Sequence, residues 1–251
     1  RILAPQPIMK SILKKLFINK NITTNQSYSL NQLSKKESLK KIFDLINNYS
    51  NESEIRYVGG CVRKSIKKEK LDDIDLAINL TPKELIGILE KNNIDFFKTG
   101  LKHGTITVLI DSEKFEITSL RKDVFSDGRH AEVSFTKNWI EDASRRDFTI
   151  NAIYSDFYGN LFDPYDGIND LDIGNVRFIG DAEKRIKEDY LRILRYIRFF
   201  LNYSKTKHDF ILKKNIRKNI RGIFNLSPER LIDELKKIIK SDKFLKIFKD
   251  D

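Results

Sequence analysis

Residues 57–64 read YVGGCVRK, and residues 72–78 read DDIDLAI. The short stretch Ile55–Val58, the pair Gly59-Gly60 and the helical spacing from Cys61 to Lys68 predict a strand, a glycine turn and a helix in that order. Asp73–Ile78 predicts a second strand. Side chains alternate along a strand, so this reading puts Asp73 and Asp75 on one face. Two carboxylates on one face repel each other unless a cation lies between them, and hard divalent ions such as Mg²⁺ take oxygen ligands. Asp72 does not share that face. An isolated Asp-X-Asp is more often a solvated strand edge, so the glycines matter. Gly59-Gly60 lets backbone N–H groups approach a phosphate, and the helix start adds positive potential. Arg63, one turn into the helix, can meet the same anion. No Gly-Lys-Ser/Thr follows at the spacing of a P-loop.

Upstream, residues 1–33 are poor in periodic pattern and predict a poorly ordered N-terminal arm. Ser34 is positioned to cap a helix to about Asn48, with Leu39, Ile42, Phe43, Leu45 and Ile46 on one face. Downstream, Pro82 opens a helix over Pro82–Asn92. Strands are expected at Asp95–Lys98, Thr105–Ile110, Phe115–Ser119 and Glu132–Phe135. The polar stretch Lys122–His130, with Asp127, Gly128, Arg129 and His130 at its end, predicts a flexible loop. After Trp139 the chain turns helical, with helices over Asp189–Tyr203, His208–Arg221 and Pro228–Ile239. Strands with a few helices followed by helices alone make an α+β fold, a mixed or antiparallel sheet and then an all-α part. The expected divisions are 1–33, 34–175 and 176–251.

Three further groups carry chemistry. Glu116 sits between Phe115 and Ile117. Those two should face the core, which turns Glu116 outward as a third carboxylate. RRDFTINA, residues 145–152, concentrates Arg146, Asp147 and Asn151; read as a helix, it places Asp147 and Asn151 on one face, where they can grip a ribose hydroxyl. EDYLRILRYIRF, residues 188–199, places Asp189 and Arg192 on one helical face, followed by Arg195 and Arg198 at three-residue spacing. On that reading Leu191, Leu194 and Ile197 turn inward. An acceptor and a donor at that separation match the scale of a base edge. Taken alone, Glu116 reads more simply as an ordinary exposed strand residue and the other two groups as helix-surface ion pairing.

The composition points the same way. Lys and Arg number 47 against 36 Asp and Glu, a formal net charge of +11. Such an excess suits a polyanionic partner, because each cation near a phosphate displaces a counterion. One Cys excludes a disulfide framework and a cysteine zinc cluster, and three scattered His residues argue against a histidine-rich metal site. No apolar run approaches the ~20 residues that span a bilayer. The basic amphipathic start, RILAPQPIMKSILKKLF, lacks a signal-peptide cleavage pattern. A cytoplasmic location is the expectation.

Taken together, these strings resemble the class II tRNA nucleotidyltransferase and poly(A) polymerase family, and within it bacterial CCA-adding enzymes most. The resemblance runs from about Ile55 to about Leu235 and keeps five motifs in the family's order. It implies a nucleotidyltransferase head followed by a helical neck and the start of a body, with a C-terminal tail region beyond Asp251 missing. It implies that Asp73 and Asp75 bind Mg²⁺ and that Glu116 supports them as a catalytic carboxylate. KDVFSDGRHAEVSF, residues 122–135, corresponds to the family's flexible loop. The implied nucleotide-binding residues are Gly59, Gly60, Arg63, Arg146, Asp147, Asn151, Asp189, Arg192, Arg195 and Arg198, with Asp189 and Arg192 pairing with the incoming base. PERLIDELKKII, residues 228–239, resembles the later helical motif that supports the neck. The implied reaction is template-independent addition of C, C and A to the 3′ end of tRNA from CTP and ATP. A poly(A) polymerase or A-adding enzyme uses the same head, and a non-catalytic tRNA-end-binding protein is the alternative from another class. One departure stands out: the position after Arg63, commonly Asp in the family, is Lys64.

Overall fold

The structure is a computed structural model that describes residues 33, 35–71, 73–126, 131–241 and 243–245. The chain divides into two compact units. The first comprises the described residues up to Arg121, with Phe135–Ala143 and Asn151–Pro164; the second comprises Lys122–Ser134, Ser144–Ile150 and the residues from Tyr165 onward.

The first unit is built on a seven-stranded sheet. Its strands are β1 (Ile55–Val58), β2 (Asp75–Ile78), β3 (Asp95–Gly100), β4 (Thr105–Ile110), β5 (Glu113–Ser119), β8 (Tyr154–Ser155) and β9 (Leu161–Phe162), in the order β3-β4-β5-β2-β1-β8-β9. Only β2 and β5 run parallel among the paired strands, so the expected mixed sheet is observed. β4 alternates half-buried and buried along its whole length, as TITVLI requires. Leu76, Ile78, Ile106, Val108, Phe115 and Ile117 form the buried face. The first described helix, α1 (Glu37–Asn47), buries Leu39, Ile42, Phe43 and Ile46, and the Phe43 ring lies 4.8 Å from that of Tyr57. Such spacing is one stripe of a helix.

The glycine turn leads into α2 (Gly60–Ile66), and Gly59 carries φ 68, a conformation in which any Cβ is strained. α3 (Pro82–Lys91) starts with a full capping box: Thr81 accepts from the Glu84 N–H while Glu84 accepts from the Thr81 N–H, and Pro82 occupies the first turn. Two further strands, β6 (Arg121–Ser126) and β7 (Ala131–Phe135), form a separate two-stranded sheet. Lys122–Ser126 is therefore strand where the sequence predicts loop. The pairing that stabilises it comes from β7 rather than from an apolar alternation of its own. Asp127, Gly128, Arg129 and His130 lie outside the described residues, as do residues 1–32 and the expected cap Ser34.

The second unit is mainly helical. It includes α5 (Gly167–Ile173), α6 (Ala182–Glu188), α7 (Leu191–Tyr203), α8 (Phe210–Asn219) and α9 (Pro228–Ile239); α4 (Trp139–Ser144) belongs almost wholly to the first unit. Its core is aromatic. The Phe148 ring lies 4.7 Å from Phe178 and 5.3 Å from Phe199. Buried Asp170 collects Thr149 Oγ1 at 2.6 Å, Asn175 Nδ2 at 2.9 Å and Arg177 Nε at 3.0 Å, which ties the segment after α4 to α5 and to the chain beyond it. A carboxylate taken from water needs such partners.

Candidate active site

In the first unit Asp75 opens β2 and stands in register with Glu116 on the parallel strand β5, which in turn stands opposite Thr107 on β4. Register neighbours share a face. The next residues along, Leu76 and Ile117, are buried, so Asp75 and Glu116 point the other way and both are exposed. One row further, Thr105 and Thr118 meet through their hydroxyls at 2.9 Å. This face is closed at its β1–β8–β9 end. There Arg56 packs 4.1 Å from the Trp139 ring and 4.8 Å from Phe162, and burial lowers the affinity of Arg56 for its proton. Two carboxylates thus project from adjacent strands on the part of this face that β1, β8 and β9 leave open.

Asp73 requires a correction. It precedes β2 rather than lying in it, so strand alternation does not place it beside Asp75. Asp73 and Ile74 gain no ladder pairing before Asp75 meets Glu116. Asp73 is exposed two residues upstream. Among the described residues no three His, Cys, Asp or Glu side chains form a ready-made metal cage. The donors present at Asp75 and Glu116 are nonetheless carboxylate oxygens on one exposed face, a set whose chemistry fits a hard divalent cation.

Arg63 is 6% exposed and donates through Nη1 to Asn151 Oδ1. Its guanidinium is held inside the first unit. Asp147 and Asn151 do not share a helix. RRDFTINA passes through a turn, an isolated bridge at Phe148 and a short 3₁₀ turn at Thr149–Asn151, because Thr149 N–H and Ile179 N–H pair with Arg177 and Asp147 carbonyls across from them. Asp147 and Asn151 fall in different units.

The arginine-rich residues of the second unit converge on carboxylates. Arg195 contacts Asp147 at 2.6 Å. Burial opposes its charge, and the carboxylates of Asp147, then Glu234 and Asp189, more than offset that and raise its pKa. Arg198 donates to Glu234 at 2.5 Å and lies 4.3 Å from the Phe199 ring. Arg192 bonds Glu188 at 2.7 Å and the Arg185 carbonyl at 2.8 Å. Arg185 also donates to the carbonyls of Arg145 and Arg146.

Asp189 is not helical, which corrects the helix over Asp189–Tyr203. Its backbone is extended (φ −155, ψ 106), α7 starts at Leu191, and Asp189 Oδ1 accepts from the Leu191 N–H at 3.1 Å. An Asp before a helix satisfies amides that the first turn leaves unpaired. The inward face of α7 is Ile193, Leu194, Tyr196, Phe199 and Tyr203; Leu191 and Ile197 are only half-buried. Arg230 and Glu234 on α9 were missed as site residues, although their four-residue spacing in PERLIDELKK was a signal that both reach one neighbour. A groove of about 1230 Å³ between α1, α3 and the β3–β4 edge, lined by Lys41, Tyr49, Lys83, Gly87 and Leu109 among others, contains none of these residues.

Residues 55–177 match the family described as "Poly A polymerase head domain", and residues 212–250 match "Probable RNA and SrmB-binding site of polymerase A". The mitochondrial CCA tRNA nucleotidyltransferase 1 of Homo sapiens is 44% identical over 206 residues, 81% of this chain and 47% of that protein. The CCA-adding enzyme of Lactobacillus johnsonii is 39% identical over 187 residues, 74% of this chain and 46% of that protein. The bacterial likeness is thus present, beside a somewhat higher identity to the human protein. Among solved structures, the Bacillus stearothermophilus CCA-adding enzyme in complex with CTP superposes with a TM-score of 0.72 at 28% identity, covering 84% of this chain and 51% of that one. A tRNA nucleotidyltransferase complexed with a primer tRNA and an incoming ATP analog gives 0.63 at 26%, covering 78% and 56%. The chain spans about half the length of the curated relatives it matches.

Proposed function

We infer the function from one premise: the chain belongs to the poly(A) polymerase head-domain family, through residues 55–177. The reading is that it adds C, C and then A to the 3′ end of tRNA, consuming CTP and ATP and releasing pyrophosphate. The observation that carries it is the in-register pair Asp75 and Glu116, exposed on one face of adjacent strands. The CTP of one structural relative and the primer tRNA and ATP analog of another support the choice of substrates.

In this reading Asp75 and Glu116, with Asp73 beside the strand, hold Mg²⁺. The ion would supply the Lewis acidity that lowers the pKa of the primer hydroxyl and offsets charge on the triphosphate. Gly59 makes the left-handed turn, its own N–H bonded to the Ile153 carbonyl, and the N–H of Gly60 at the start of α2 would meet phosphate oxygens. Arg146, Arg195 and Arg198 add positive charge for the triphosphate, Asp147 and Asn151 contact ribose, and Arg63 acts through Asn151, to which it is bonded. Asp189 accepts from the exocyclic amine that C and A both carry, and Arg192 donates to the neighbouring ring acceptor. Uracil and guanine present a carbonyl where the amine stands, and a fixed acceptor facing another acceptor is strongly disfavoured. A cytoplasmic site of action belongs to the same reading; imaging a tagged protein tests it, and a mitochondrial signal overturns that part.

Incubating tRNA that lacks its 3′ CCA with Mg²⁺ and labelled nucleotides tests the whole. CTP alone should add two residues, and ATP should add one only after them. Long A tracts on generic RNA would select the poly(A) polymerase reading, and tRNA binding without incorporation the non-catalytic one. Asp75→Asn should lower incorporation by more than 10³-fold with an unchanged circular dichroism spectrum, since Asp75 is exposed.

A further inference from the structure

We propose that Arg230 is a positioning residue that sets the direction of the Asp189 carboxylate and through it the choice of base. The inference rests on the reading of Asp189 as the group that meets the base, and goes beyond it.

Asp189 lies in the two-residue step between α6, which ends at Glu188, and α7, which begins at Leu191. No regular element fixes its side chain. Two contacts do: Oδ1 accepts from the Leu191 N–H at 3.1 Å, and Oδ2 accepts from Arg230 Nη2 at 2.7 Å. The first belongs to the local turn. The second comes from 41 residues away, from the first turn of α9. The Asp189 side chain remains 22% exposed and that of Arg230 39%. The carboxylate is therefore held by Arg230 without being enclosed.

α9 is well placed to impose a direction. Arg230, Glu234 and Ile238 follow one another at i, i+4 and i+8 and so share a stripe. Glu234 is 2% exposed and bonds Arg198 on α7 at 2.5 Å, and Ile238 is buried. This anchors the helix that carries Arg230 to the helix that Asp189 precedes. The intervening residue is also held: a Cβ built on Gly222 would lie 2.1 Å from the Tyr190 ring, so that ring rests directly against the glycine backbone. The backbone beside Asp189 is pinned by Tyr190, and its carboxylate is aimed by Arg230.

Direction matters because selectivity depends on a penalty. A carboxylate that rotates freely can turn away from an approaching carbonyl and bind water, whereas one held in place leaves the wrong base facing an acceptor. Loss of Arg230 should therefore weaken discrimination, not only affinity.

The test measures kcat/KM for CTP and UTP, and for ATP and GTP, on the full chain carrying Arg230→Ala, Arg230→Lys or Asp189→Ala, with thermal melts alongside. Arg230→Ala should reduce the CTP/UTP and ATP/GTP ratios by about tenfold or more, and Arg230→Lys should restore part of each. Should Arg230→Ala fail to fold, Arg230→Gln takes its place in the same comparison. An equal loss for all four nucleotides at constant ratios would show a purely structural arginine and overturn the proposal. Constant ratios in Arg230→Ala with collapsed ratios in Asp189→Ala would also overturn it while leaving the base-contact reading intact. Constant ratios in both variants would remove that reading as well.

Discussion

Arg63 and Cys61, two residues apart on α2, show how one short helix serves as foundation rather than as contact surface. Arg63 donates to Asn151 in the interior, so its first contribution is to hold the segment Asn151–Ile153 beside β1, where Gly59 N–H also bonds the Ile153 carbonyl at 3.3 Å. Cys61 is 1% exposed, and its sulfur lies 3.3 Å from the Val58 carbonyl oxygen. Burial pushes its thiol up to about 11 from an ordinary 9.0. The consequence for stability has a definite sign. Between pH 9 and 11 the unfolded thiol loses its proton while the folded one retains it, so the unfolded state is favoured as pH rises; below pH 9 the two states bind equally and nothing is lost. Two units correspond to about 3 kcal/mol at most. Burial of the Tyr57 phenol acts in the same direction above pH 10. Iodoacetamide at pH 8 should leave Cys61 unmodified in the folded protein and label it fully in urea. Rapid labelling without denaturant would contradict its burial beneath the sheet.

Elements with a full period of pattern were legible, and those without one were not. β1, β4 and α9 begin and end where the sequence places them, because IRYV sets strand-favouring Ile, Tyr and Val just before the Gly59-Gly60 turn, TITVLI alternates, and Ser227-Pro228 marks a helix start. β8 and β9 are two residues each, too short for any alternation, and are defined only by their pairing in the sheet. β6 reads RKDVFS and becomes a strand only through β7. The same limit shaped the site. Glu116 was legible because Phe115 and Ile117 flank it. The partnership of Arg230 with Asp189 was not, because it joins residues 41 apart through the packing of two helices. Where local chemistry suffices, its effect can be measured locally. The capping box of α3 satisfies amides at the end of a ten-residue helix that buries Leu85, Ile88 and Leu89 against the sheet. Thr81→Ala should cost about 1 kcal/mol in urea unfolding at unchanged m-value, and Thr81→Ser should recover most of it. A loss below about 0.3 kcal/mol would mean that burial alone sets the start of the helix.

At the scale of the whole molecule the dominant fact is charge. A net +11 raises the local concentration of any polyanion and also strains the folded state by self-repulsion. Several of the cations are already engaged in ion pairs, among them Lys218 with Glu183, Arg195 with Asp147 and Arg198 with Glu234. The excess that remains over 36 acidic residues is what an RNA backbone can meet. Nucleotide and tRNA should therefore respond differently to salt. In the proposed reading a triphosphate would meet a few cations at one site, and its binding would also rest on hydrogen bonds to base and ribose. A tRNA engaging about six phosphates releases about as many counterions, and its affinity should fall by about 10³-fold between 50 and 200 mM monovalent salt. Filter binding across that range, beside KM for CTP under saturating tRNA, compares the two in one preparation. The expected outcome is a steep linear dependence of log Kd on log salt for tRNA and a change of only a few fold for CTP. A tRNA affinity that moves less than tenfold would assign the basic excess to solubility and leave recognition of the RNA to contacts other than charge.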